Sequence, residues 1–218
     1  MRNTSFVNDE FYHIYNRGTD KRNIFSDRDD INRFFQSMNE FNAIEPIGSI
    51  YENSFRSQQL GSSASKLEVM DKKLVSFICY CLNPNHYHFI VEQITERGIE
   101  KLLHRIGTGY TKYFNNKNER SGSLFQGKFK AIHIDSNEYL LHLSSYVNLN
   151  NRVHKLNGQF FKSSLDEYRT ETGVIFCKKD IILDQFKSTK KYQKFTENSL
   201  SFILKNRAQE DFVSLLLE

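Results

Sequence analysis

Along this chain, short apolar runs of period two alternate with longer runs of helical period. Residues 10–18, EFYHIYNRG, set Phe11, His13 and Tyr15 against Tyr12, Ile14 and Asn16, the alternation of a strand, and Gly18 ends it. A helix is predicted next: Ser26-Asp27-Arg28-Asp29 reads as a capping-box start with Asp in the place of Glu, and Ile31, Phe34, Phe35 and Met38 recur at helical spacing. From about Asn42 to Asp71 the pattern fails among Gly, Ser and Gln clusters, which predicts a mobile insertion or an extended hairpin. Two apolar segments follow, LVSFICYCL and HYHFIVEQ, and Asn83-Pro84-Asn85 between them predicts two strands or one sharply bent strand.

Residues 97–114, RGIEKLLHRIGTGYTKYF, place Ile99, Leu102, Leu103, Ile106, Tyr110 and Tyr113 on one side of a helix. Gly107 and Gly109 weaken it and leave room for a close backbone approach. A polar turn over 115–123 leads to a predicted strand over 124–134, with Phe125, Gly127, Phe129, Ala131 and His133 on one face. Asp135 or Ser136 caps a further helix that runs to about Asn150. In the tail, SSLDEY and residues 189–206 read as helical, and GVIFC (173–177) as a short strand or a loop. The order β, α, insertion, β, β, α, β, α is that of an α+β domain, best matched by a ferredoxin-like palm with a mainly antiparallel sheet and packed helices.

Composition narrows the class. The 218 residues suffice for one large domain or for a smaller one with an appendage. No run of about 18 uncharged apolar residues is present, so no membrane span is expected, and the first residues lack the apolar centre of a secretory signal, which points to a cytoplasmic protein. Cys79, Cys81 and Cys177 are expected as reduced thiols. The net charge of +4 says little, but its distribution says more: Lys101, Arg105, Lys112, Lys117, Arg120, Lys128 and Lys130 face only Glu119, interleaved with Tyr110, Tyr113, Phe114, Phe125 and Phe129. Cations beside stackable rings suit a single-stranded nucleic acid. A solvated helix face above an aromatic core fits the stretch equally well.

The candidate chemistry begins at His86-Tyr87-His88. On a strand the two imidazoles point the same way and Tyr87 points into the opposite layer, towards the core. Two imidazoles are too few for structural zinc, whereas an open coordination sphere suits a divalent cation that must accept a substrate oxygen. Taken alone, such a pair is more often structural. On the helix from 136 to 150, however, Tyr146 and Asn150 stack one turn apart, in line with Tyr139 and Leu143. An Asn amide oxygen can complete the ligand set, and a tyrosine beside a cation that polarises a phosphodiester is a credible nucleophile. Tyr110 and Tyr113 in the basic helix are rivals for that role, and His142, one turn before Tyr146, is a further candidate neighbour of the site.

NPNHYHFIVE (83–92) resembles the histidine-hydrophobic-histidine (HUH) motif of the single-tyrosine transposases. FYHIYNRGTDKRNIF resembles that family's opening strand and turn, LHRIGTGYTKYFNNKNERSGSLFQGKFKAIHID its central helix, turn and strand, and YLLHLSSYVNLNNRVH its nucleophile helix. The likeness covers residues 10 to about 155 and is nearest to the REP-associated tyrosine transposases. It implies an HUH palm, with His86, His88 and Asn150 holding Mg²⁺ or Mn²⁺ and Tyr146 as nucleophile. The reaction implied is cleavage and strand transfer of single-stranded or hairpin DNA through a 5′-phosphotyrosine. Arg17, Arg105, Tyr110, Lys112, Lys117, Arg120, Lys128 and Lys130 are the expected DNA contacts. The division implied is a catalytic domain over 1–155, with an insertion at about 43–72, and a helical extension over 156–218, in a monomer or a homodimer. Tyr87 stands where a smaller aliphatic residue is usual, and Asn151 where a proline often follows the ligand Asn. Two other functions remain: a hairpin-binding protein without catalysis, and a metallohydrolase that activates water, which the scarcity of Asp and Glu beside the His pair disfavours.

Overall fold

The structure, a computed structural model, describes residues 4–59, 73–156, 160–170 and 175–207. Five strands, β1 (Phe11–Arg17), β2 (Val75–Asn83), β3 (His86–Gln93), β4 (Lys130–His133) and β5 (Lys162–Ser163), form one sheet in the order β4-β1-β3-β2-β5, each paired antiparallel with its neighbours. Helix α1 (Arg28–Glu40) lies on the connection from β1 to β2, and α3 (Gly98–Lys117) on that from β3 to β4. Each connection passes over an intervening strand, the interleaving of a ferredoxin-like α+β fold.

The pleat separates two cores. Tyr87, Phe89 and Val91 of β3 face α1 and α3, where Phe34 meets Phe25, Tyr87 and Tyr110 at ring-centroid distances of 5.1, 5.4 and 4.8 Å. The edge-on pairs with Phe25 and Tyr110 add about 0.5–1.5 kcal/mol each beyond their burial. The opposite face, with Ile90, receives α4 (Asn137–Asn148), α5 (Asn150–Val153), α6 (Leu165–Arg169), α7 (Asp180–Leu183) and α8 (Thr189–Arg207). A register shift between Phe77 and Cys79 turns both Ile78 and Cys79 towards this second core. Cys79, Cys81 and Cys177 are free and buried. No described helix is long and apolar enough to cross a membrane.

Local signals account for the elements, with corrections to the expectations. The N-cap of α1 is Asp27, whose side chain accepts from Asp30 N–H, while Asp30 accepts from Ser26 N–H; the capping residues are therefore one position later than the sequence pattern suggests. The described part of the 42–71 segment contains a helix where none was expected: α2 (Ile50–Gln59) opens on a capping box in which Ser49 and Glu52 bond reciprocally at 3.1 Å. The rest of that segment, 60–72, lies outside the described residues. Pro84-Asn85 makes a tight turn between β2 and β3, and the Pro84 carbonyl accepts from Ile24 and Phe25. The strand expected over 124–134 is confined to Lys130–His133, because Gly127 sits at φ 68° and breaks the pairing. At Gly109 a Cβ would lie 2.9 Å from the Phe41 ring, so the close approach is to a side chain, whereas Gly107 faces open space. In the tail α6 and α8 form as expected, α7 is additional, and the short strand is Lys162–Ser163 rather than within 173–177, of which 173 and 174 lie outside the described residues.

Candidate active site

Sheet register assembles one wall of the site. On the second face Tyr15 lies opposite His88 and Arg17 opposite His86 across β1 and β3, while Asn83 of β2 lies opposite His86 and Lys130 of β4 opposite Tyr15. Strand alternation alone therefore sets Lys130, Tyr15 and His88 in one row and Arg17, His86 and Asn83 in the next. All of these but Asn83, which is buried behind His86, floor a cleft of about 520 Å³ that Lys21, Asn85, Gln126 and His154 also line. Arg17 Nε donates to Gln126 Oε1 at its rim.

The other wall is α4 and α5. Ser136 caps α4 through Tyr139 N–H, and the helical path breaks at Leu149 (φ −107°, ψ 13°) before Asn150 opens α5. Asn150 Oδ1 lies 3.0 Å from His86 Nε2 and accepts from Asn83 Nδ2 at 2.5 Å, and Asn83 Nδ2 is also 2.9 Å from His86 Nε2. His86 Nδ1 lies 2.6 Å from Asn85 Oδ1, which fixes the ring. The His86 and His88 rings are 5.2 Å apart, and the Tyr146 ring stands edge-on to His88 at 5.6 Å within the same chain. The structure thus brings together His86, His88, Tyr146 and Asn150. Tyr146 is only 4% exposed, and its side chain lines a separate apolar cavity of about 360 Å³ between α4 and α8.

Burial disfavours the charged form of the His13 and His88 rings. It pushes the His13 ring down to about 3 and His88 well below the ordinary histidine range, the latter helped by the neighbouring His13, His86 and His154. Neutral imidazole is the form that donates a lone pair to a cation. His86, His88 and the Asn150 amide oxygen, which lies against His86, are the groups that would hold a divalent cation here. Among the described residues no group of three or more His, Cys, Asp or Glu side chains is arranged to hold a metal ion.

Several of the expected DNA contacts have intramolecular partners. Arg105 donates to the carbonyls of Phe41, Ala43 and Ile44, and Tyr110 OH donates to Ile24 O at 2.6 Å in the core. Lys117 pairs with Asp27 and the buried Asp30, and Arg120 bonds Asn115 and Ser123 O to close the turn after α3. Arg17 and Lys130 line the cleft, whereas Lys112 and Lys128 line a groove of about 870 Å³ between α3 and residues 123–129, with Thr108, Thr111 and Asn115. Asn16 borders both. Tyr113 bonds Asp30, and His142 packs on Phe195 near Ser199, away from the cleft. Sequence reasoning missed His13, Tyr15, Lys21, Asn83 and His154. The available signals were the alternation Phe11, His13, Tyr15 and the placement of His154 one turn after Asn150.

The structure sets a strand-borne His pair beside a helix-borne Tyr and Asn on an antiparallel α+β sheet. The chain resembles the IS200-like transposases: the family model described as "Transposase IS200 like" matches residues 48–150, which contain all four residues. Among solved structures, a REP-associated tyrosine transposase bound to a REP hairpin aligns at 8% identity over 77% of this chain and 83% of that one, with a TM-score of 0.48. The tRNA(His) guanylyltransferase of Saccharomyces cerevisiae aligns at 10% identity over 96% of this chain and 82% of that one, with a TM-score of 0.33. No curated protein matches.

Proposed function

We propose that the protein is a metal-dependent DNA nicking and joining enzyme acting on single-stranded DNA beside a hairpin, with Tyr146 as nucleophile. The observation that carries this reading is the convergence of His86 Nε2 and Asn150 Oδ1 at 3.0 Å, with His88 and Tyr146 against them in one chain. His86, His88 and Asn150 would hold Mg²⁺ or Mn²⁺, which when bound supplies Lewis-acid polarisation of a phosphodiester. The Tyr146 oxygen attacks phosphorus as the bond to the 3′ oxygen breaks. The protein then carries a 5′-phosphotyrosine, and the 3′ oxygen takes up the proton that the phenol loses. The ester bond energy is retained in this link, so a second 3′ hydroxyl can reverse the step without ATP. Turning the phenol out of the α4–α8 cavity and into the cleft precedes attack.

Arg17, Lys21 and Lys130 are placed to neutralise the strand entering the cleft. Lys112 and Lys128, with Thr108 and Thr111, offer the neighbouring groove to a hairpin backbone, and Asn16 stands where cleft and groove meet. Arg105, Tyr110, Lys117 and Arg120 serve the scaffold in this reading.

The test is incubation with hairpin oligonucleotides bearing single-stranded flanks in Mn²⁺, followed by denaturing gels. A covalent adduct that Tyr146→Phe abolishes is expected; no adduct with any substrate, or an undiminished one in Tyr146→Phe, refutes the mechanism. The burial of Tyr146 outside the cleft favours one other reading, a hairpin binder without catalysis. Binding that survives EDTA and Tyr146→Phe, with no cleavage, would establish it.

A further inference from the structure

We infer that His13 is a positioning residue for the cation site: its ring accepts the Nδ1 proton of His88 and so leaves the His88 Nε2 lone pair as the one directed at a cation. This rests on the cation reading proposed above and assigns a task to a residue outside its ligand set.

His13 Nε2 lies 2.9 Å from His88 Nδ1, and both rings are buried, at 0% and 2% exposure. The two rings are nearly parallel, 17° apart with centroids at 5.1 Å, and Tyr15 lies against both at 5.0 and 5.6 Å. The 5.1 Å separation is that of two rings side by side and joined through their nitrogens, so His88 is held at one nitrogen by His13, with the Tyr15 ring close to both. Sheet geometry makes the contact obligatory: Tyr15 is directly opposite His88, and His13, two residues earlier on the same face, is the diagonal neighbour.

The proton between the rings decides whether His88 can bind a cation. If His88 Nδ1–H donates to His13 Nε2, His88 presents an unprotonated Nε2 and is a ligand. If His13 donates instead, the proton of neutral His88 sits on Nε2 and blocks it. The second nitrogen of His13, Nδ1, is buried with no hydrogen-bond partner among the described residues. A buried ring nitrogen without a partner costs free energy that burial alone does not return. An apolar side chain would avoid that cost, so the ring is explained by what it does at Nε2. A metal-bound histidine held at its far nitrogen by a second group is a general device for fixing tautomer and ring angle, and its loss lowers metal affinity about 10–100-fold.

The experiment measures Mn²⁺ binding by the electron spin resonance signal of free Mn²⁺, on the full chain and without DNA, for wild type, His13→Gln, His13→Leu and His86→Ala. Gln reaches the same depth along the strand and carries an acceptor oxygen near the position of Nε2; Leu fills the space without one. His13→Leu is expected to bind about 10–100-fold more weakly, His13→Gln within a few-fold of wild type, and His86→Ala not measurably. Equal binding by wild type and Leu, or equal loss in Gln and Leu, overturns the inference, the second outcome marking His13 as packing only. Imidazole ¹⁵N spectra of the metal-free protein give an independent readout: His88 protonated at Nδ1 and bare at Nε2 is expected, and the opposite tautomer refutes the role. If wild type binds no Mn²⁺, the cation reading fails, and the spectra still decide which ring donates.

Discussion

Replacing Lys117 with Met separates a scaffold cation from a DNA contact. Lys117 Nζ lies 2.6 Å from Asp27 Oδ2 and 2.8 Å from Asp30 Oδ1, and the Asp30 side chain is 0% exposed. Removing one partner of a buried ion pair costs about 3–5 kcal/mol, because the remaining charge stays buried. Asp30 keeps the Ser26 N–H at 2.7 Å and the Tyr113 OH at 3.1 Å, and the Lys117 side chain is itself 32% exposed, which brings the cost to the bottom of that range or just below it. We expect a loss of about 2–3 kcal/mol, or about 4–12 °C in the melting midpoint for a chain of this size. In a double-mutant cycle, adding Asp30→Asn should cost less than the sum of the single changes, since the neutral amide no longer needs the cation. Thermal unfolding gives the stability, and hairpin binding at several salt concentrations gives the DNA term. A variant that melts within a degree or so of wild type, while its salt slope falls by about one, would show that Lys117 contacts phosphate and that the ion pairs are incidental.

Stability should also depend on pH through the second core. His13 is held at about 3 when folded against 6.5 in its ordinary state, so below pH 6.5 the unfolded chain takes up a proton that the native one refuses. His13 alone then costs about 2 kcal/mol at pH 5, with His88 adding in the same direction; urea midpoints that are equal at pH 7.5 and pH 5 would contradict this. At Gly98 a Cβ would lie 2.2 Å from the Leu74 carbonyl oxygen, so Gly98→Ala should lose at least about 1–3 kcal/mol in equilibrium unfolding, and an unchanged midpoint would refute the close approach. Lys112→Glu with Lys128→Glu should weaken hairpin affinity and lower its salt slope by about two while leaving the melting midpoint in place. Equal affinity for wild type and this variant would remove the groove from the DNA path.

The sheet was legible because its signals are local. Alternation marked β1, Pro84 separated β2 from β3, and helical spacing marked α1 and α3, so the element order and the antiparallel class followed from the chain itself. The nearness of Tyr146 to Asn150 was legible from their four-residue spacing, but the break in the helical path at Leu149 between them was not. What failed to show was anything set by partners distant in sequence. The cations of α3 look alike on paper, yet Arg105 and Lys117 are taken up by carbonyls and carboxylates more than 60 residues away, and no periodicity reveals that. The contact of His13 with His88 does not show in the sequence because the two are 75 residues apart. The α2 helix was a different failure: Ser49-x-x-Glu52 is a readable start signal, masked by the polar composition that follows it.

The tail adds a condition to the site that neither the motif nor the four residues contain. Tyr146 sits on a helix whose position depends on α8: Asn148 donates to Tyr192 OH at 2.9 Å, and Ser164 Oγ donates to Asn148 Oδ1 at 2.6 Å. Ser164 Oγ is in turn within 3.3 Å of Tyr80 O, and its backbone N–H donates to that same carbonyl at 3.0 Å, so the chain of bonds ends in β2, next to the strand that carries His86 and His88. All three side chains are buried, where an unpaired amide or hydroxyl would cost about 1–3 kcal/mol. A shift of α8 thus cannot leave Asn148 in place without breaking this network, and Asn148 lies two residues from both Tyr146 and Asn150. The placement of Tyr146 and Asn150 against the histidines is therefore fixed from two sides, by strand register for the histidines and by the tail for the helix that faces them.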